Sequence, residues 1–167
     1  PITGWRFNTL LTTTHIPLHE ISKNLTENKD LIISKLNLLY EFSKQFKNRP
    51  TLRVAGLNPH AGEEGILGLE EKNFIETYLK IWSANNPEVK LEGPVSPDSC
   101  WISSVKAWKE NKSYGHDGIL AMYHDQGLIP MKIIALNYSV NTTIGLPIIR
   151  TSPDHGTGFD IFNKGIA

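Results

Sequence analysis

The sequence predicts an α/β fold of three layers built around a largely parallel sheet. Three observations carry that expectation. Apolar runs of strand length alternate with longer stretches of helical period. Polar, glycine-containing loops follow the strand-like runs. No apolar run reaches the roughly 20 residues needed to cross a bilayer, so no membrane partner is expected. The composition agrees, since 40% hydrophobic and 20% charged residues suit a packed domain better than a disordered tail. Residues 1–167 read as a single α/β unit.

The first strand is expected over Phe7–Thr14, ending at His15. Ile32, Leu36, Leu39, Phe42 and Phe46 recur at helical spacing and predict one helix over Glu27–Phe46, stopped by Arg49-Pro50. Thr51–Leu57 reads as a buried strand and runs into the loop Asn58–Gly65. A helix over Leu69–Ala84 would carry Phe74, Tyr78, Ile81 and Trp82 on one side. Glu70 and Glu71 lie in its first turn, where the helix dipole favours negative charge. Val89–Leu91 reads as a short strand, Pro94, Pro97 and Asp98 as a turn, and Ser99–Glu110 as a short helix. The strand Asp117–Tyr123 leads into His124-Asp125-Gln126-Gly127. An extended run over Val140–Ile144 precedes Gly145–Arg150, and Thr151–Gly158 reads as a loop opening a last helix.

Charge excludes one class of function. With 17 basic and 17 acidic residues the formal balance is zero, which gives no electrostatic footprint for nucleic acid. The cluster Lys44, Lys47, Arg49 and Arg53 reads as a solvated helix end, and His19 and His116 as surface residues. The single cysteine, Cys100, permits no internal disulfide, which suits a reducing cytosol and a cytoplasmic protein. The chain opens without a methionine or a signal-peptide pattern and stops abruptly, so it is expected to be a fragment of a longer enzyme.

His15, His60 and His124 each fall at, or shortly after, the end of an expected strand. Ligands of open α/β sheets gather at the carboxyl ends of strands, so three imidazoles could meet there. Such a set suits zinc or a similar late transition metal and leaves a position open for substrate oxygen. Spacing alone leaves loop histidines facing water as the competing reading. The small residues of Asn58-Pro59-His60-Ala61-Gly62-Glu63 let backbone N–H groups approach a ligand. There is neither a Walker loop nor a G-x-G-x-x-G fingerprint. Asp154-His155-Gly156-Thr157 is the better nucleotide-loop candidate, with a tight turn at a helix start as its equal. Lys132 and Arg150 could bind phosphate or carboxylate or could simply be solvated.

Taken together, these motifs resemble one family. Thr14-His15-Ile16-Pro17-Leu18, Asn58-Pro59-His60-Ala61-Gly62-Glu63, Gly93-Pro94, Ala121-Met122-Tyr123-His124-Asp125-Gln126-Gly127, Gly145–Ser152 and Asp154-His155-Gly156-Thr157 occur in this order. The ordered set resembles the 4-hydroxythreonine-4-phosphate dehydrogenase family. The resemblance implies an isocitrate/isopropylmalate dehydrogenase-like fold, with the N-terminal half of the family enzyme absent here. It implies a homodimer with the active site at the interface. A divalent metal (zinc, with cobalt or magnesium as alternatives) would be held by His15, His60 and His124, one of them from the partner subunit. Lys132, Asn141 and Arg150 match the family's substrate contacts, and Asp154, His155, Gly156 and Thr157 would lie against NAD or NADP. Asp125, beside His124, would orient a ligand or relay a proton.

The implied reaction is oxidation of 4-phosphohydroxy-L-threonine to a β-keto acid that decarboxylates, in pyridoxal 5'-phosphate formation. Two departures lie near the substrate and nucleotide edges: Ile133–Ser139 replaces a glycine-rich stretch, and Gly158–Asn163 replaces a smaller apolar run. They leave open a dehydrogenase of another phosphorylated hydroxy acid, such as a four-carbon sugar acid phosphate. A catalytically incomplete metal-binding fragment and a metal-dependent hydrolase are the remaining readings.

Overall fold

In the computed structural model, residues 6–28, 30–148, 150–153 and 163–164 are described. Four parallel strands form the main sheet: β1 (Thr9–Leu11), β2 (Thr51–Ala55), β3 (Lys90–Val95) and β4 (Gly118–Ala121), in the order β1-β4-β2-β3. The central strand β4 pairs Thr9–Leu11 with Ile119–Ala121 on one side and Leu52–Val54 with Gly118–Leu120 on the other. An antiparallel hairpin of β5 (Val140–Thr143) and β6 (Arg150–Pro153) makes a second, small sheet.

Alternation along the strands divides the core into two faces. Leu52, Val54, Leu120 and Met122 face one cluster, packed against α1 (Ile21–Glu27), α2 (Leu31–Lys44) and α3 (Glu76–Asn85). Ala55, Ile119 and Ala121 face the other with Cys100 and Trp101, covered by α4 (Ile102–Lys109) and α5 (His124–Ala135). Helices on both faces of a parallel sheet give the three layers expected from the sequence. Ile32, Leu36 and Leu39 of α2 are fully buried, each contributing about 2 kcal/mol through burial.

Several local expectations are corrected. The helix read over Glu27–Phe46 is α2, which starts only at Leu31 and ends at Lys44. A separate helix, α1, precedes it and ends where Asn28 leaves the helical region (φ −100°, ψ 68°). Phe46 lies beyond α2 and is exposed, with the Arg6 guanidinium 4.0 Å above its ring. Only three residues of the long first strand pair as β1, although Thr12 and Thr13 continue to donate backbone N–H bonds to Ala121 and Met122. Residues Glu71–Ile75 form a π-helical turn before α3, and Ile81 is half exposed rather than in its apolar stripe. Helix α5 occupies a stretch for which the sequence predicts no element.

Arg53 and His116 are not solvated. Arg53 sits on β2, its guanidinium 2.7 Å from Glu92 and donating to the Cys100 carbonyl. His116 is 5% exposed. Its Nε2 lies 2.8 Å from Glu92 and its Nδ1 3.2 Å from the Ser104 hydroxyl, which itself accepts from the His116 backbone N–H. That hydroxyl donates to Nδ1, so the neutral ring carries its proton on Nε2 and gives it to Glu92. Thr151–Pro153, read as loop, form most of β6, and the rest of that stretch lies outside the described residues.

Candidate active site

The carboxyl ends of β1, β2 and β4 lie on the same edge of the parallel sheet, and each leads to one of the three singled-out histidines. Because β1 and β4 are neighbours, their histidines meet. The His15 and His124 rings have centroids 5.2 Å apart, tilted at 44°. Thr13 fixes this arrival, since its hydroxyl and its backbone N–H both donate to the Met122 carbonyl. His15 adopts a left-handed backbone (φ 52°), which turns the chain sharply after β1.

His124 opens α5, and its Nδ1 lies 2.7 Å from an Asp125 carboxylate oxygen. An Nδ1–H donating to that carboxylate leaves the Nε2 lone pair available as a ligand, as when a carboxylate holds the far nitrogen of a metal-binding imidazole. Next in the helix, Gln126 is buried and acts as a strut. Its carbonyl oxygen accepts from the Met122 N–H at 2.6 Å, and its amide donates to the Gly56 carbonyl at 2.7 Å. The ends of β4 and β2 are thereby locked to each other.

His60 is carried differently. Residues His60, Ala61, Gly62, Glu63 and Glu64 all have positive φ, forming a left-handed turn. Each non-glycine residue in that conformation costs about 1–2 kcal/mol, so the turn needs a support. Glu71 supplies it. This carboxylate is 1% exposed and accepts the backbone N–H groups of Leu57 and Asn58 and the Asn58 amide, all at 2.8 Å. Gly62 is required beside it, because a Cβ there would stand 2.8 Å from the Gly68 carbonyl oxygen and 2.9 Å from Glu71 Oε2. Glu71 was expected only to favour the helix dipole. Its partners lie in a loop 13 and 14 residues away, which no helical periodicity reveals.

His60 is exposed and faces a cleft with Glu63, Glu64 and Lys72, whereas His15 and His124 share another with Tyr123 and Asp125. Among the described residues no three metal-ligating side chains of one chain come together. The three imidazoles are thus divided, His15 and His124 as a pair in one cleft and His60 in another.

Of the expected substrate contacts, Asn141 lines the cleft that holds His15 and His124. Arg150 stands across the hairpin from Thr143, donating to its hydroxyl at 3.1 Å. Lys132 is exposed on α5. Asp154, His155, Gly156 and Thr157 lie outside the described residues. One cleft residue, Lys35 on α2, has no counterpart in the sequence reading. Its only signal there is a charge at the border of the Ile32, Leu36, Leu39 stripe.

Comparison with known proteins adds independent findings. The family described as pyridoxal phosphate biosynthetic protein PdxA matches residues 2–167. The chain is 52% identical over 169 residues to a 4-hydroxythreonine-4-phosphate dehydrogenase of a Synechococcus species, covering 100% of this chain and 51% of that protein. It thus spans about half the length of the curated relatives it matches. Among solved structures, the 4-hydroxythreonine-4-phosphate dehydrogenase of Klebsiella pneumoniae superposes with a TM-score of 0.77 at 38% identity, covering 92% of this chain and 43% of that one. A terephthalate 1,2-cis-dihydrodioldehydrogenase from Burkholderia xenovorans superposes with a TM-score of 0.71 at 25% identity, over 99% of this chain and 48% of that one.

Proposed function

The chain belongs to the PdxA family, and on that premise we propose that the whole protein oxidises the secondary alcohol of 4-phosphohydroxy-L-threonine. NAD or NADP would accept the hydride, and the β-keto acid formed would lose carbon dioxide on the way to pyridoxal 5'-phosphate. The observation that carries this reading is the meeting of His15 and His124 in one cleft with Asn141 in its wall. The reading of the chain as a catalytic part of a longer enzyme is supported by its match to about half the length of its relatives, and a cytoplasmic place is in keeping with the single, buried, unpaired Cys100. Among the described residues no helix is long and apolar enough to cross a membrane.

The residues divide the work. His15, His124 and His60 would hold a divalent metal, zinc suiting three imidazoles best, with cobalt or magnesium as alternatives. When bound, such an ion supplies Lewis-acid polarisation of the alcohol oxygen. The separation of His60 from the pair supports a homodimer whose active site is completed across the interface. Asp125 orients the His124 ring through Nδ1, and Gln126 holds the β4 end against the β2 end, so the site starts preorganised. Asn141 and Arg150 would hold the substrate's polar groups from the hairpin, with Lys132 as a further cation. The Asp154-His155-Gly156-Thr157 loop would lie against the nucleotide.

A second reading, oxidation of a different hydroxylated acid, is favoured by one finding: the same fold serves a protein named as a dihydrodiol dehydrogenase. Turnover of the full-length protein with 4-phosphohydroxy-L-threonine and a panel of other phosphorylated hydroxy acids separates the two. The expected result is nicotinamide reduction with the highest kcat/KM for 4-phosphohydroxy-L-threonine. Preference for a four-carbon sugar acid phosphate would move the assignment to the second reading. No nicotinamide reduction with any of them would overturn both.

A further inference from the structure

The cleft that holds His15 and His124 continues between α2 and the β5–β6 hairpin, a space of about 490 Å³. Lys35 and Leu38 of α2 stand on one wall, and Asn141, Thr142 and Thr143 of β5 on the other. The hairpin is seated by a close approach. A Cβ on Gly145 (φ +83°) would stand 2.8 Å from Leu38 Cδ2, so glycine lets the loop after β5 press onto α2. Lys35 lies one helical turn before Leu38 and therefore emerges beneath the hairpin.

Its setting differs from that of its neighbours. Lys44 is paired with Glu41 and Lys47 with Asp117. Lys35 is half-buried and has no carboxylate partner among the described residues. It stands on the same helix as the buried Ile32, Leu36 and Leu39 and lines the cleft. No Asp or Glu is among the described residues lining that cleft. The same wall holds Thr9, whose buried hydroxyl has no hydrogen-bond partner among the described residues. The Asp125 carboxylate nearby is engaged with His124 Nδ1, so the Lys35 ammonium, in a concave lining that holds no carboxylate among the described residues, attracts anions, and the low-dielectric walls strengthen that attraction.

We propose that Lys35 is an anion-binding residue of this cleft, its ammonium receiving an oxyanion of the substrate across from Asn141. The oxyanion is the substrate's phosphate or its carboxylate. The inference rests on the dehydrogenase reading for the identity of the substrate, but not for the chemistry of the cleft.

The test uses the full-length protein with Lys35→Ala, Lys35→Gln and Lys35→Arg, the glutamine variant keeping a polar stem should the alanine variant fold poorly. Two readouts are taken: kcat and KM for 4-phosphohydroxy-L-threonine, and calorimetric titration with inorganic phosphate and, separately, L-threonine. Loss of a charge-assisted contact is expected to raise KM by roughly 10-fold with kcat little changed, and Lys35→Arg should recover most of it. Weakened phosphate binding in the variants assigns the phosphate to Lys35, and weakened threonine binding assigns the carboxylate. Equal binding of both anions by the parent and its variants, or binding of neither by the parent, overturns the proposal. If the parent binds these anions but does not oxidise the phosphorylated substrate, the dehydrogenase reading fails while the titrations still decide the role of Lys35.

Discussion

At the scale of single residues, His116 shows how burial turns a side chain into a pH-dependent stabiliser. Burial pushes its pKa below the ordinary imidazole value, against the opposing pull of Glu92. In the unfolded chain the ring would take up a proton near pH ~6.5, while the folded chain resists until lower pH. The unfolded state therefore binds more protons as pH falls through that value, and stability is lost on acidification. Glu92 acts in a separate window. Hydrogen bonds from Lys90 and Arg53 hold it down to about 2, so its contribution is lost only as pH falls from its unperturbed 4.5 towards that value. Urea midpoints of the parent and His116→Gln, measured from neutral to mildly acid pH, should converge as pH drops below ~6.5. Parallel curves would contradict a buried neutral imidazole. That His15, His60 and His124 each follow a strand was legible from the apolar runs before them. His116 was not, because Glu92 and Ser104, which make its burial tolerable, are 24 and 12 residues away.

At the scale of elements, α5 sets the position of His124, and its fit depends on Gly127. A Cβ there would stand 2.4 Å from Leu11 Cδ2, 3.0 Å from Thr9 Cγ2 and 3.1 Å from Ala121 Cβ. Two effects oppose each other in Gly127→Ala. Helix propensity favours alanine by about 1 kcal/mol, while overpacking against β1 and β4 costs about 1–3 kcal/mol. Packing should win, because three neighbours from two strands cannot all withdraw. A lowered melting temperature is expected, and a raised one would show that α5 stands off the sheet. Gly127 and Pro130 also explain why this helix was not read from the sequence, since both weaken its local signal. The amphipathic α2 was legible from the spacing of Ile32, Leu36 and Leu39. Its true start was not, because the break at Asn28 interrupts an otherwise continuous pattern.

At the scale of the whole molecule, the sheet order does what no local pattern announces. Placing β4 between β1 and β2 brings His124 beside His15 and lets Gln126 reach Gly56. The strands of the main sheet were readable from apolar runs, though β6 was read as loop, and three layers from strand–helix alternation. The central position of β4 depends on pairings more than 60 residues apart, such as Leu52 with Gly118 and Thr9 with Ile119, for which periodicity carries no signal. The same topology leaves His60 on a different cleft, so the full ligand set is expected from a dimer. Elemental analysis of the purified full-length protein, beside His15→Ala, His60→Ala and His124→Ala, measures this most directly. Near-stoichiometric zinc or another divalent transition metal in the parent, with a large loss in each variant, is the expected result. Undiminished metal in any one folded variant would contradict the three-histidine site.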